Sequence, residues 1–134
     1  MGLPIVVIDT NVLIASLSKK SISHGIYKAF IERQFSWLVS SEILNEYEEQ
    51  LALYFDEDTA RFVLEILLTA SNTILSEPYF RWSLITEDPD DNKFSDLAIS
   101  GGANCLITFD KHFNIFKEIQ FPSLNIMTPK EFLN

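Results

Sequence analysis

Two kinds of apolar spacing alternate along the chain. Ile5-Val6-Val7-Ile8 and Cys105-Leu106-Ile107-Thr108-Phe109 are short β-branched runs with little polar alternation. Such runs read as strands buried on both faces of a parallel sheet. Phe35 to Val39, Thr73 to Leu75 and Ser123 to Met127 read as further strands. Between them the spacing becomes helical. Val12, Leu13, Ile14 and Leu17 predict a helix over 10–20, and Ile26, Tyr27, Phe30 and Ile31 predict one capped by Ser23 and running to Gln34. Ser41 is the expected cap of a helix through Phe55, with Ile43, Leu44, Tyr47, Leu51 and Tyr54 as its apolar set. Asp56 or Asp58 opens the next helix, to Ser71. The stretch 77–91 carries two prolines and a Pro-Asp-Asp-Asn turn and reads as the longest loop. Asn92 to Gly101 is helical with Phe94, Leu97 and Ala98 inward, and Pro129 opens a terminal helix. Strands alternating with helices predict an α/β fold, a central and mostly parallel sheet flanked by helices.

This pattern gives four acidic residues their interest. Asp9 ends the first apolar run and Asp110 follows the second. In an open parallel sheet, ligands bind beyond the carboxyl ends of the strands, so two aspartates at two such ends can meet at one rim. The alternative role for each is a helix cap. Asp91 lies in Glu87-Asp88-Pro89-Asp90-Asp91, and one member of that run must cap the following helix. Glu46 lies among Glu42, Glu48 and Glu49; Glu42 and Glu46 share a helical face, and a run of glutamates is ordinarily a solvated face. Position alone chooses neither Asp91 over Asp90 nor Glu46 over its neighbours. Carboxylates that do converge need a cation, and a hard divalent ion, Mg2+ or Mn2+, suits oxygen ligands.

Composition narrows the classes. An apolar fraction of 47% in 134 residues supports one packed domain rather than a disordered chain. No apolar stretch nears the roughly 20 residues of a membrane helix, and no basic region followed by an apolar segment opens the chain. A soluble, cytoplasmic protein is expected. Cys105 is the single cysteine, expected as a small apolar filler in a buried strand. The net charge of −9 excludes nucleic-acid binding by overall basic charge. It is compatible with a metal site or with a basic partner protein.

The chain resembles the PIN domain family, in particular the toxins of bacterial type II toxin–antitoxin pairs. Four blocks carry the resemblance: Val7-Ile8-Asp9-Thr10-Asn11-Val12-Leu13; Ser40-Ser41-Glu42-Ile43-Leu44-Asn45-Glu46-Tyr47; Asp88-Pro89-Asp90-Asp91-Asn92-Lys93-Phe94; and Gly102-Ala103-Asn104-Cys105-Leu106-Ile107-Thr108-Phe109-Asp110. They occur in the family's order and together span most of the chain. The resemblance implies a Rossmann-like α/β/α fold, Mg2+- or Mn2+-dependent endoribonuclease activity, and a cognate antitoxin. It also implies an acidic metal site of Asp9, Glu46, Asp91 and Asp110, which singles out Glu46 and Asp91 from their neighbours. Thr10, Asn11 and Thr108 are expected to hydrogen-bond ligands or substrate. Asp96, five residues past Asp91, is expected at an exposed polar position, with a water-mediated or second-metal role as the alternative. Lys93, Lys111 and His112 lie beside the acidic blocks and are candidates for phosphate contact; for His112 a plain surface position is the first expectation. Family members are often dimeric, and Phe55, Phe62, Leu67 and Leu68 exceed what one inward stripe needs, so a homodimer or antitoxin groove is expected there.

Other classes fit less well. A haloacid-dehalogenase-like phosphatase needs a second aspartate two residues after the first, where this chain has Asn11. A receiver domain needs a late lysine that the order here does not supply, and the glycine patterns of P-loop and dinucleotide folds are absent. The non-enzyme alternative is a catalytically silent PIN scaffold that binds a partner protein or RNA.

Overall fold

The computed structural model describes residues 2–134. Five strands, β1 (Ile5–Ile8), β2 (Ser36–Val39), β3 (Thr73–Leu75), β4 (Cys105–Ile107) and β5 (Ile126–Met127), form one sheet in the order β3-β2-β1-β4-β5. Every pairing is parallel. The connecting helices are α1 (Thr10–Ser16), α2 (His24–Ile31), α3 (Ser41–Tyr54), α4 (Glu57–Thr69), α5 (Asn92–Ser100) and α6 (Pro129–Leu133), with 3-10 segments at Pro89–Asp91 and Lys111–Lys117. The architecture is the expected α/β/α one, with a sheet that is wholly parallel.

The uninterrupted apolar runs sit where their composition requires. Val6, Val7, Ile8, Leu106 and Ile107 are buried completely, as expected for central strands covered on both faces. Trp37 of β2 anchors the aromatic part of the core. Phe30 meets it edge-on with ring centroids 5.0 Å apart, and Tyr47 meets it at 6.1 Å. Cys105 is buried as anticipated, and burial pushes its thiol up to about 11. No helix among the described residues is long and apolar enough to cross a membrane.

Several boundaries differ from the pattern-based expectation, each for a local reason. Ser40, not Ser41, caps α3: its side chain accepts from the Ile43 amide, whereas the Ser41 hydroxyl donates to Glu77. Asp56 is the cap of α4, accepting from the Thr59 amide at 2.6 Å. Ser23 makes no side-chain cap, and α2 stops at Ile31 rather than near Gln34, because Arg33 takes left-handed backbone (φ 58°). The Gln34 amide then reaches back to the Ala29 carbonyl and the Arg33 amide to that of Phe30, closing the helix. Gly102 (φ 66°) closes α5 in the same way, through Ala103 to Ala98 and Gly102 to Ile99. The last strand is confined to Ile126–Met127, and the strand after Ala103 ends at Ile107.

The loop before α5 is irregular but not loose. Asn92 accepts from the Ile85 amide and donates to the carbonyls of Ile85 and Pro89. One turn on, Asp96 accepts from the amides of Trp82 and Ser83, at 2.9 and 3.3 Å. The expectation of an exposed Asp96 is therefore corrected: it is 1% exposed. A buried carboxylate that ties an incoming loop has no reason to face solvent. Replacing Asp96 by Ala should leave two loop amides without their acceptor and lower unfolding stability by about 1–2 kcal/mol, whereas Asp96→Asn retains an acceptor and should lose much less. Denaturant unfolding of the two variants measures the difference.

Candidate functional site

The sheet order contains one reversal. From β1 the chain builds outward through β2 and β3, then returns to β1's other side as β4 and β5. Two connections therefore diverge between the carboxyl ends of β1 and β4, and this topological switch point is where open α/β sheets bind ligands. The register Ile8↔Ile107 places Asp9 beside Thr108. The Asp9 amide extends the ladder to the Ile107 carbonyl, at 3.0 Å.

Both oxygens of Asp9 are held. Oδ1 accepts from the Thr10 amide at 2.8 Å and Oδ2 from the Thr108 hydroxyl at 2.7 Å. Thr108 Oγ1 in turn accepts from the Asp110 amide at 2.9 Å. Asp110 does accept from the His112 amide, so its capping role is real, yet its carboxylate also stays at the rim. Asp91 is relieved of capping, because Asp88 accepts from the Asp90 amide and caps the preceding 3-10 turn. Its carboxyl instead turns towards Asp110. One ligand atom each from Asp91, Asp110 and His112 lie within 4.8 Å of one another. His112 Nδ1 is 3.3 Å from Asp110 Oδ1 and 3.7 Å from Asp91 Oδ2. His112 is thus solvent-accessible, as expected, but it belongs to the rim. Asp91 Oδ2 is buried and has no hydrogen-bond partner.

Glu46 occupies the opposite end of the group. The Thr10 hydroxyl donates to its Oε2, and Lys93 Nζ lies 2.5 Å from its Oε1. Lys93 Nζ is also 2.9 Å from Asp90 Oδ1, and only 7% of the lysine side chain is exposed. It is therefore a buried counter-ion rather than a free phosphate-binding group. Glu46 is indexed to the sheet by its neighbour. The Tyr47 hydroxyl donates to the Ile8 carbonyl, the last of β1, and accepts from Trp37 Nε1 at 3.3 Å. Glu42, on the same helical face, points to exposed Arg81, 3.5 Å away. Asn11 is exposed on the first turn of α1. Asp96 lies four residues along α5 from Asn92 and is occupied with the loop. His24, for which the sequence names no partner, has Nδ1 2.8 Å from the Ser16 carbonyl, away from the rim.

The electrostatics follow from the crowding. Asp9 is raised from 3.8 to about 6, first by burial, against which Thr108 and Thr10 work; Glu46 and Asp110 add like charge. Asp91 is raised to about 7, first by burial, then by Asp110, with smaller contributions from Asp88 and Asp9. For Lys93, burial opposes the charge, but the bonds to Asp90 and Glu46 outweigh it and hold the ammonium above its ordinary value. The result is a row running Lys93, Glu46, Thr10, Asp9, Thr108, Asp110, His112, with Asp91 against its far end. Hard oxygen donors in excess of positive charge, one with an orphaned buried oxygen, are a donor set suited to a divalent cation. Sequence reasoning missed the part of Lys93 and reached His112 only as an adjacent residue. The available signal was a lysine and a histidine each within two positions of an acidic rim residue.

The family model of the PIN domain matches residues 5–112, so the chain belongs to the PIN domain family. Solved structures of similar fold include VapBC2 from Rickettsia felis, bound to a DNA fragment from their promoter. That likeness has a TM-score of 0.64 and 18% identity, covering 92% of this chain and 98% of that one. FitAcB from Neisseria gonorrhoeae is similar at TM-score 0.57 and 14% identity, over 93% and 98%. The PIN domain of T. brucei RRP44 is similar at TM-score 0.54 and 11% identity, over 98% and 79%. At these identities the likeness is one of fold. No curated protein sequence matches the chain.

Crowded carboxyls have a consequence for pH. Asp9 and Asp91 hold protons in the folded state over a range where the unfolded chain has released them. Their contribution to stability is fully present below about pH 4 and is lost as pH rises towards about 7. For Asp9 the rise corresponds to about 3 kcal/mol. In the presence of chelator, Tm should therefore carry a component that falls over this range, and Asp9→Asn should flatten it. Thermal unfolding against pH measures both; an unchanged slope in Asp9→Asn would contradict the assignment.

Proposed function

We propose that this chain is a metal-dependent endoribonuclease that hydrolyses RNA phosphodiester bonds, and the toxin of a type II toxin–antitoxin pair acting in the cytoplasm. The observation that carries the proposal is the convergence of Asp9, Asp91 and Asp110 at the switch point, with Asp91 Oδ2 buried and unpartnered. Membership of the PIN domain family and the fold shared with VapBC2 and FitAcB support it.

Asp9, Asp91 and Asp110 are the residues that would hold Mg2+ or Mn2+, with Glu46 completing the acidic set from α3. Such an ion, when bound, acidifies a water and offsets charge on the phosphate oxygens. Thr10 and Thr108 fix both Asp9 oxygens, so that carboxylate meets its ligand in one orientation. Beside Asp110 lies a pocket lined by Phe109, Lys111, Asn114, Lys117 and Glu131. Its two lysines suit a phosphate backbone, and Phe109, 52% exposed, offers a ring face for an unpaired base. An acidic chain, net −9, also suits a basic antitoxin segment laid over the site. The second reading is the silent scaffold that binds RNA or a partner without cutting. Lys93 is what favours it, since an internal ammonium already neutralises Glu46.

Purified protein with Mn2+ should cleave single-stranded RNA, and Asp9→Asn should lower the rate by about a thousandfold or more, because it keeps the shape and removes a ligand charge. Glu46→Gln and Asp91→Asn should resemble it, and combined variants should not be additive. Wild-type-rate cleavage by Asp9→Asn would place any activity elsewhere. Tight Mn2+ binding without cleavage of any RNA would select the scaffold.

A homodimer is proposed on separate grounds. Leu53 and Tyr54 at the end of α3, with Phe55 after them and Phe62 and Leu68 on α4, are exposed, whereas Leu67 is buried and drops out of the expected apolar surface. Sedimentation equilibrium should detect self-association that Phe62→Asp weakens by tenfold or more, about 1.4 kcal/mol.

A further inference from the structure

The acidic row has two ends, and only the Glu46 end holds a permanent cation; the other has the His112 imidazole, 3.3 Å from Asp110 and charged only when protonated. At the Asp91 and Asp110 end, a buried carboxylate oxygen has no partner. At the Glu46 end, both carboxylate oxygens are engaged, one by Thr10 and one by an ammonium at 2.5 Å. That ammonium is internal: the Lys93 side chain is 7% exposed, its Nζ stands 5.6 Å from the Phe94 ring centroid, and it spans Glu46 and the exposed Asp90. A lysine is rarely buried in this way unless its charge is matched. Its backbone position is also fixed, one residue past Asn92, whose side chain is pinned to Ile85 and Pro89.

Building on the metal-centre reading above, we propose that Lys93 is a positioning residue that supplies the positive charge at the Glu46 end, so that the centre takes one divalent ion, at Asp9, Asp91 and Asp110. Charge supports this division. Glu46 and Asp90 share one ammonium, and Asp9, Asp91 and Asp110 share one divalent ion. Neither end then carries more than one unit of unbalanced negative charge. Without the ammonium, Glu46 is a part-buried carboxylate whose cheapest compensation is a second cation. The lysine therefore sets the stoichiometry of the site through Glu46, without touching the reacting phosphate.

Calorimetric titration of full-length protein with Mn2+ alone tests this. Wild type should bind one ion per chain. Lys93→Met should bind a second ion, and adding Glu46→Gln to it should abolish that second event. Lys93→Arg should keep one. Circular dichroism on each protein separates loss of fold from change of stoichiometry. Two ions in wild type would overturn the inference without need of any variant, and so would a folded Lys93→Met protein with one ion at unchanged affinity. Wild type that binds no Mn2+ would remove the metal-centre reading and this inference with it. RNA cleavage on the same samples reads the nuclease proposal separately, so failure of one does not imply failure of the other.

Discussion

The pairing of β1 with β4 is the constraint on which the site depends. These strands are far apart in sequence, yet their register sets Ile8 against Ile107 and so Asp9 against Thr108. Every subsequent contact follows from that adjacency. Thr108 bonds the Asp9 carboxylate and accepts from the amide of Asp110, tying the two strand ends through one hydroxyl. Because the strands are buried on both faces, a slip of the pairing would displace a fully apolar layer, and the core resists it. The rigidity of the rim is thus inherited from hydrophobic packing, not from the polar contacts themselves.

Much of this was legible in the sequence, for reasons that particular residues make plain. Asp9 and Asp110 stood out because each terminates an uninterrupted apolar run, and a strand end is a position that can be read without knowing the partner. Glu46 was not readable from position, since its neighbours carry the same charge and only Tyr47's anchoring on β1 selects the face. The sequence does not separate Ser40 from Ser41 as the cap of α3, because the two are adjacent and equally able to cap; Glu77, from a distant segment, takes the second. The burial of Asp96 is not legible in the sequence, because its partners are amides of an irregular loop and no periodicity announces those. The role of Lys93 is hidden in the sequence because a basic residue beside acidic ones is ordinarily solvated, and its burial comes from long-range packing.

The site also shows stability set against chemistry. Burial of Asp9 beside Glu46 and Asp110 raises its pKa, which is a cost to the folded state near neutral pH. The fold offsets part of that cost with fixed donors at both Asp9 oxygens, from Thr10 and Thr108. Asp91 receives no such donor at its buried oxygen, and the imbalance is concentrated there.

The Tyr47 hydroxyl on the Ile8 carbonyl gives α3 a fixed angular origin. A helix advances about 100° per residue. A single insertion or deletion between the Ser40 cap and Tyr47 would swing Glu46 off the rim or pull Tyr47 from its seat. Length change beyond Leu51, the last buried residue of α3, disturbs neither. The helix is therefore divided into a segment whose length is fixed by geometry and a distal segment free to lengthen, shorten or diverge. Natural variation among proteins sharing this arrangement should concentrate in that short distal segment, which also carries exposed Leu53 and Tyr54. Partner choice can change there while the spacing of the acidic row stays constant.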